Sequence, residues 1–187
     1  YVRSLERRAA RERERRFVIE GTRLVEEALR AGVWPTLVFY TPAYAAGVAG
    51  QTILTRLRAA SVPCEDVAER VMASLSDTVA PPGILAVVPV VQLPAPAAPS
   101  LILIADGIAT PGNLGTLLRS AEAAGVDLVL LTPTTTDPFG PKVVRGGMGA
   151  HFRLPLRAEQ DWEAIATYVG ALPLYLAEAG APLPYDC

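Results

Sequence analysis

Histidine, lysine and cysteine are almost missing from this chain of 187 residues, which has His151, Lys142 among seventeen basic residues, and the two cysteines Cys64 and Cys187. With no CxxC pair and no Cys/His cluster, the sequence offers neither a disulfide framework nor a zinc site. The expectation is a metal-free protein of a reducing cytoplasm. Long apolar runs are missing too. Nothing approaches the ~20 residues that a membrane span needs, and the arginine-rich N-terminus lacks the following apolar stretch of a signal peptide. Neither an anchor nor a leader is expected. Also absent are GxGxxG, a Walker loop, HExxH, GxSxG and any paired-carboxylate signature, which removes the commonest nucleotide-binding and hydrolase readings, a Rossmann dehydrogenase among them. His151, beside Phe152 and without a Ser, Cys or Asp pattern near it, reads as structural.

What is present is a folded composition, 51% hydrophobic with 19% charged residues, in a chain long enough for two small domains. The formal net charge is only −2, but it is unevenly spread. Nine of the seventeen basic residues fall in the first thirty positions, against six acids. Arg3, Arg7, Arg11 and Arg15 recur at i, i+4. On one helix they would form a stripe able to track phosphates, or, with Glu6, Glu12 and Glu14 beside them, a solvated face.

Strand-like and helix-like segments then alternate. FVIE is followed by a Gly turn and a helical TRLVEEALRAG, TLVFYT (36–41) reads as a buried strand, 51–60 as a helix, and 62–67 as a further strand step. VMASLSDT (71–78) is amphipathic, and GILAVVPV (83–90) is a β-branched strand behind Pro81-Pro82. Pro94, Pro96 and Pro99 make 93–100 a stiff connector. The expected units are 1–92 and 101–187.

The second unit opens on LILIA (101–105), uninterrupted apolar and expected as a central strand of a parallel sheet. A loop, a helix starting at Asn113 and ending at Gly125, and the strand VDLVLLT complete a β-α-β unit with its loop at the strand's carboxyl end. A helix over 142–149, a short strand HFRLP (151–155), a helix from Asp161 to Gly170 and a strand LPLYLAEA (172–179) are expected after it. Asn113 and Arg119 then lie on neighbouring turns near a helix N-terminus, where a phosphate or ribose can dock, or they are an N-cap and a surface arginine.

Two stretches carry a family resemblance. IADGIATPGNLGTLLRSAEAAG resembles the first motif of the SpoU family of the SPOUT class, with Asn113, Gly115 and Arg119 at the family's asparagine, glycine and arginine. DPFGPKVVRGGMGAHFRLPL resembles its Pro-Lys-Val-x-Arg-x-Ser-x-Gly-Ala segment in Pro141, Lys142, Val143, Arg145, Gly149 and Ala150. It departs at Gly146-Gly147, where the family usually shows Ala-Ser. FVIEGTRLVEEALRAG is similar to the family's small α/β substrate-binding domain. The family's later Gly-x-Glu, Ile-Pro-Met and Ser-Leu-Asn segments do not appear, so the catalytic domain is expected to be cut short at Cys187, without its knot-forming segment.

The resemblance implies an α/β protein, with a ribosomal-protein-like RNA-binding domain ahead of a SPOUT domain. It implies methyl transfer from S-adenosylmethionine to a ribose 2′-hydroxyl in structured RNA, by a homodimer. Large-subunit ribosomal RNA is the first expected substrate and transfer RNA the alternative, with a non-catalytic RNA-binding protein as the other class. Arg119 and Asn113 are the implied catalytic residues. Arg3, Arg7, Arg11, Arg15, Lys142 and Arg145 are the candidate RNA contacts, and the cofactor-binding residues are expected beyond Cys187.

Overall fold

Three of the four strands of the first unit are alternating or wholly apolar, and only the short β3, Cys-Glu-Asp, is largely exposed. The computed structural model describes residues 1–177. β1 (Arg16–Glu20) alternates, with Phe17 and Ile19 turned inward. α2 (Thr22–Arg30), preceded by the shorter α1 (Arg8–Glu14), buries Leu24, Val25, Ala28 and Leu29 on one face. β2 (Leu37–Tyr40), α3 (Pro42–Ala46), α4 (Val48–Ala59), β3 (Cys64–Asp66), α5 (Glu69–Leu75) and β4 (Ile84–Pro89) follow. The sheet order is β1-β4-β2-β3. β4 lies between β1 and β2, antiparallel to both, and Ile84 to Val88 are all buried, as their unbroken apolar run requires. No strand or helix intervenes between Pro89 and Ile102, the segment that holds the three prolines.

In the second unit β5 (Ile102–Ala105), α6 (Pro111–Ala123), β6 (Leu128–Leu131), α7 (Pro141–Gly147), β7 (Leu156–Arg157) and α8 (Trp162–Val169) build a parallel sheet of order β5-β6-β7. α6 and α7 cover one face through Leu114, Leu118 and Val143, and α8 covers the other through Ile165. Gly115 lets α6 and α7 meet: a Cβ there would stand 2.7 Å from the Val143 carbonyl oxygen and 2.9 Å from Gly146 Cα. Gly115→Ala is therefore expected to lower the urea midpoint. Overpacking of about 1–3 kcal/mol outweighs alanine's helix preference of about 1 kcal/mol. A raised midpoint would mean that α7 can slide away.

Several sequence expectations are corrected. LILIA is not a central strand, because β5 lies at the sheet's edge among the described residues. Its apolar run arises from cover on both faces, Leu103 packing toward α6 and Ile102 and Ile104 toward α8. HFRLP is not a strand. Ala150–Phe152 form a 3₁₀ turn entered through Gly149 in the left-handed region, and the strand begins only at Leu156. Residues 172–177 form no strand, and 178–179 lie outside the described residues. Asn113 does not start its helix. Thr110 is the N-cap and Pro111 the first helical residue, which leaves Asn113 in the first turn.

The arginine stripe is also absent. Val2 and Leu5 turn into a core with Met72, Leu85 and Val87, so Val2–Glu6 is a 3₁₀ turn, Arg7 is extended, and α1 starts afresh at Arg8. Arg3 donates through Nε to the Ser74 carbonyl at 2.8 Å. Arg11 is buried, donating to the Leu5 and Glu6 carbonyls and paired with Asp137 of the second unit. Arg15 ends α1 in the left-handed region.

That pair belongs to an extensive seam. Phe139, Val144 and Phe152 of the second unit pack into the first unit's core, where the Phe17 ring lies 5.2 Å from Phe139 and 6.1 Å from Phe152. Arg145 bonds Asp77 at 2.9 Å and Arg153 bonds Glu27 at 2.6 Å across it.

Candidate ribose and RNA site

The exposed face of α6 carries Asn113, Thr116 and Arg119 at i, i+3, i+6, opposite the buried Leu114, Gly115 and Leu118. The helix geometry separates Asn113 from Arg119 by about 9 Å along the axis, roughly two turns. Neither side chain has a hydrogen-bond partner among the described residues. The Arg119 guanidinium thus has its donors free of protein partners among the described residues, about two turns along a helix that leaves the carboxyl edge of β5, the edge where ligands meet parallel sheets.

The loops around this helix are held by a polar group that the motif reading did not single out. Thr132 Oγ1 donates to Asp106 Oδ1 at 2.8 Å and accepts from the Gly107 amide at 3.2 Å. Thr135 Oγ1 donates to the Ala105 carbonyl at 2.9 Å. The only advance signal was their place, just past the ends of two parallel strands. These hydrogen bonds tie the carboxyl ends of β5 and β6 together. They furnish a rigid platform under α6.

Lys142, exposed in the first turn of α7, borders an open cleft of about 290 Å³, with Pro111 and Thr136 on its own unit and Glu6 and Asp77 opposite. Lys142, Arg7 and Arg15 are exposed and have no ion-pair partner among the described residues. Arg145 and Arg11 are held by Asp77 and Asp137, so they tie the units together and face RNA less freely than their sequence positions implied.

His151 packs between Phe17 and Phe139, with ring centroids 6.2 Å and 5.8 Å away, and its Nε2 lies 2.7 Å from the Pro138 carbonyl oxygen. That contact makes Nε2 the protonated nitrogen, and Nδ1 is buried without a partner among the described residues. A Cβ on Gly147 would fall 2.7 Å from Cε1 and 2.9 Å from Nδ1. The glycine where the SpoU pattern has serine is thus the residue that admits this ring.

Burial pushes the His151 pKa below its ordinary 6.5, and the Pro138 carbonyl and the Asp137 charge only partly oppose this. An unfolded chain takes up its proton near 6.5, so the histidine's contribution to stability is present above that pH. It is lost as the pH falls toward the lower folded value. The urea midpoint is expected to drop between about pH 7 and about pH 5.5, and His151→Phe to flatten that slope. An equal slope in the variant would assign the acid sensitivity to carboxylates.

Among the described residues no three His, Cys, Asp or Glu side chains group as metal ligands, and no helix is long and apolar enough to cross a membrane. Residues 1–86 match the model of an MRM3-like substrate binding domain and residues 100–181 that of the SpoU rRNA Methylase family. The chain is 36% identical over 172 residues to human mitochondrial rRNA methyltransferase 3, covering 87% of this chain and 39% of that protein. It is 33% identical over 141 residues to the Bacillus subtilis 23S rRNA (guanosine(2553)-2'-O)-methyltransferase RlmP, covering 75% of this chain and 53% of that one. An AdoMet-bound rRNA methyltransferase from Sinorhizobium meliloti superposes with a TM-score of 0.76 at 27% identity, over 91% of this chain and 64% of that chain. The sequence therefore spans about two fifths of the human relative and under two thirds of the other two.

Proposed function

Because the chain belongs to the SpoU rRNA methylase family, with an MRM3-like substrate-binding domain ahead of its catalytic domain, we propose that it methylates a ribose 2′-hydroxyl in large-subunit ribosomal RNA. The observation that carries the reading to particular residues is the pair of unpartnered groups, Asn113 and Arg119, on the exposed face of α6. S-adenosylmethionine, bound in the Sinorhizobium relative, supplies the methyl group. The described residues of this chain provide the acceptor side of the reaction.

A 2′-hydroxyl is a poor nucleophile. It has to be held in line with the methyl while charge grows on its oxygen. Asn113 can orient the ribose with one donor and one acceptor, and Arg119 can stabilise the developing alkoxide or grip the adjacent phosphate with its planar fork. The delocalised guanidinium is a permanent five-donor cation, so it acts as a fixed charge rather than as a base. Of the six candidate RNA contacts, Arg7, Arg15 and Lys142 are left to track phosphates, with Arg3 beside Ser74. The homodimer that the resemblance implies belongs to the same reading.

Incubating the full gene product with large-subunit ribosomal RNA and methyl-labelled donor is expected to leave label in an alkali-resistant dinucleotide, the mark of a blocked 2′-hydroxyl. Label in a base would overturn the reading. Label only in transfer RNA would move the substrate, and tight RNA binding with no label would support a non-catalytic protein.

A further inference from the structure

A cavity of about 270 Å³ opens at the seam between the two units, and neither Asn113 nor Arg119 lines it. Its apolar wall is built by Val91 from the connector together with Phe139 and Leu156 from the second unit. Its charged rim is largely paired. Arg8 holds both Glu12 and Glu159, and Arg11 holds Asp137. Two guanidinium groups on the rim are left without a carboxylate among the described residues. Arg15 has no partner there, and Arg157 donates only to the carbonyls of Leu156 and Leu93. The lining carries one positive charge in excess of its acids. His151 closes one wall with its neutral ring.

Each of these features selects against some ligands. The volume lies just below the roughly 300–1,000 Å³ of sites for drug-sized molecules, which suits one base with its sugar and is too small for two stacked bases. An aromatic and aliphatic wall favours a flat heterocycle. A single uncompensated cation, offered by guanidinium forks at the rim, matches the one negative charge of a phosphodiester. We propose that this seam cavity binds one nucleotide, its base against Val91, Phe139 and Leu156 and its phosphate on Arg15 and Arg157. On the reading that the protein acts on RNA, this is a nucleotide turned out of the chain beside the target. Gripping it between the units would set the RNA's position relative to α6.

His151 is the only histidine of these 187 residues, and its imidazole resonances in the full gene product, identified by their loss in His151→Phe, report on this cavity. Adenosine monophosphate titrated into the isotope-labelled full gene product is expected to shift them at sub-millimolar concentration, with inorganic phosphate about tenfold weaker or more. Arg15→Ala, at an exposed position, is expected to weaken the nucleotide by about tenfold, equivalent to losing about 1.4 kcal/mol, and Val91→Trp to abolish the shift by filling the space. A shift with substrate RNA as well identifies the ligand as a nucleotide of the chain. A shift with the mononucleotide alone identifies a free nucleotide. No shift at millimolar nucleotide, or full binding by Arg15→Ala, overturns the proposal. The outcome is separable from the methylation assay: label in RNA with silent His151 resonances removes the cavity and keeps the enzyme, and the reverse removes the enzyme and keeps the cavity.

Discussion

Replacing Arg119 by alanine is expected to cut the rate of methyl transfer by about 10²-fold or more, the scale of removing one preorganised charge stabiliser, with RNA affinity falling far less. An interaction with charge that develops only in the transition state acts on turnover. A contact with a phosphate already charged in the ground state acts equally on both states and appears as affinity. The fold is not at stake, because Arg119 is exposed and holds no other described residue, so the alanine variant should melt with the parent protein. Arg119→Lys separates charge from shape: lysine keeps the cation and loses the fork that can span ribose and phosphate. Near-normal turnover in the lysine variant would show that charge alone suffices. Near-normal turnover in the alanine variant would return Arg119 to the surface and remove the assignment.

Asp137→Ala is expected to destabilise the protein by about 3–5 kcal/mol, the usual result of leaving a buried charge without its partner. Arg11 has side-chain exposure of only 7% and Asp137 of 16%, and they join residues 126 apart in the chain. Without the carboxylate, Arg11 keeps only the Leu5 and Glu6 carbonyls. Its charge stays out of water with no opposite charge beside it. The double variant Arg11→Met/Asp137→Leu is expected to recover most of the loss, since an apolar pair of similar size avoids desolvating two ions. Thermal unfolding measured on the parent, Arg11→Met, Asp137→Leu and the Arg11→Met/Asp137→Leu double variant gives the coupling directly. A loss below ~1 kcal/mol in Asp137→Ala is what an exposed pair would give, and it would mean that water reaches Arg11.

The elements legible in advance were those whose own sequence decides them. The unbroken ILAVV and LVLL runs give the buried β4 and β6, and Asp161 ahead of an apolar stretch gives α8, whose first turn it caps through the Ala164 amide at 2.8 Å. The helix start at Thr110-Pro111 was legible too, because a threonine followed by proline marks a cap and first turn, but the motif drew attention to Asn113 instead. Other features depend on partners far along the chain. A buried Arg11 is indistinguishable from its exposed neighbours until Asp137 is placed beside it. Nor does HFRLP reveal that Phe152 belongs to one core and Leu154 to the other. In the candidate site, the motif supplied Asn113 and Arg119, while the Thr132 hub had no signature beyond its position after a strand. The missing hydroxyl at Gly147 acquires a physical sense only once the His151 ring is seen to occupy the neighbouring space.

The way Phe139, Val144 and Phe152 complete the first unit's core has a consequence for synthesis. Domains ordinarily fold as units as they leave the ribosome, N-terminal first. Here the four strands of the leading sheet have all been made by Pro89, yet the rings that cover Phe17 are translated only after the proline-rich connector and the first strands of the next sheet. The nascent N-terminal half therefore waits with Phe17 uncovered. A pause in translation between residues 90 and 138 would lengthen that wait, with that apolar face open to a chaperone or to a second unfinished chain.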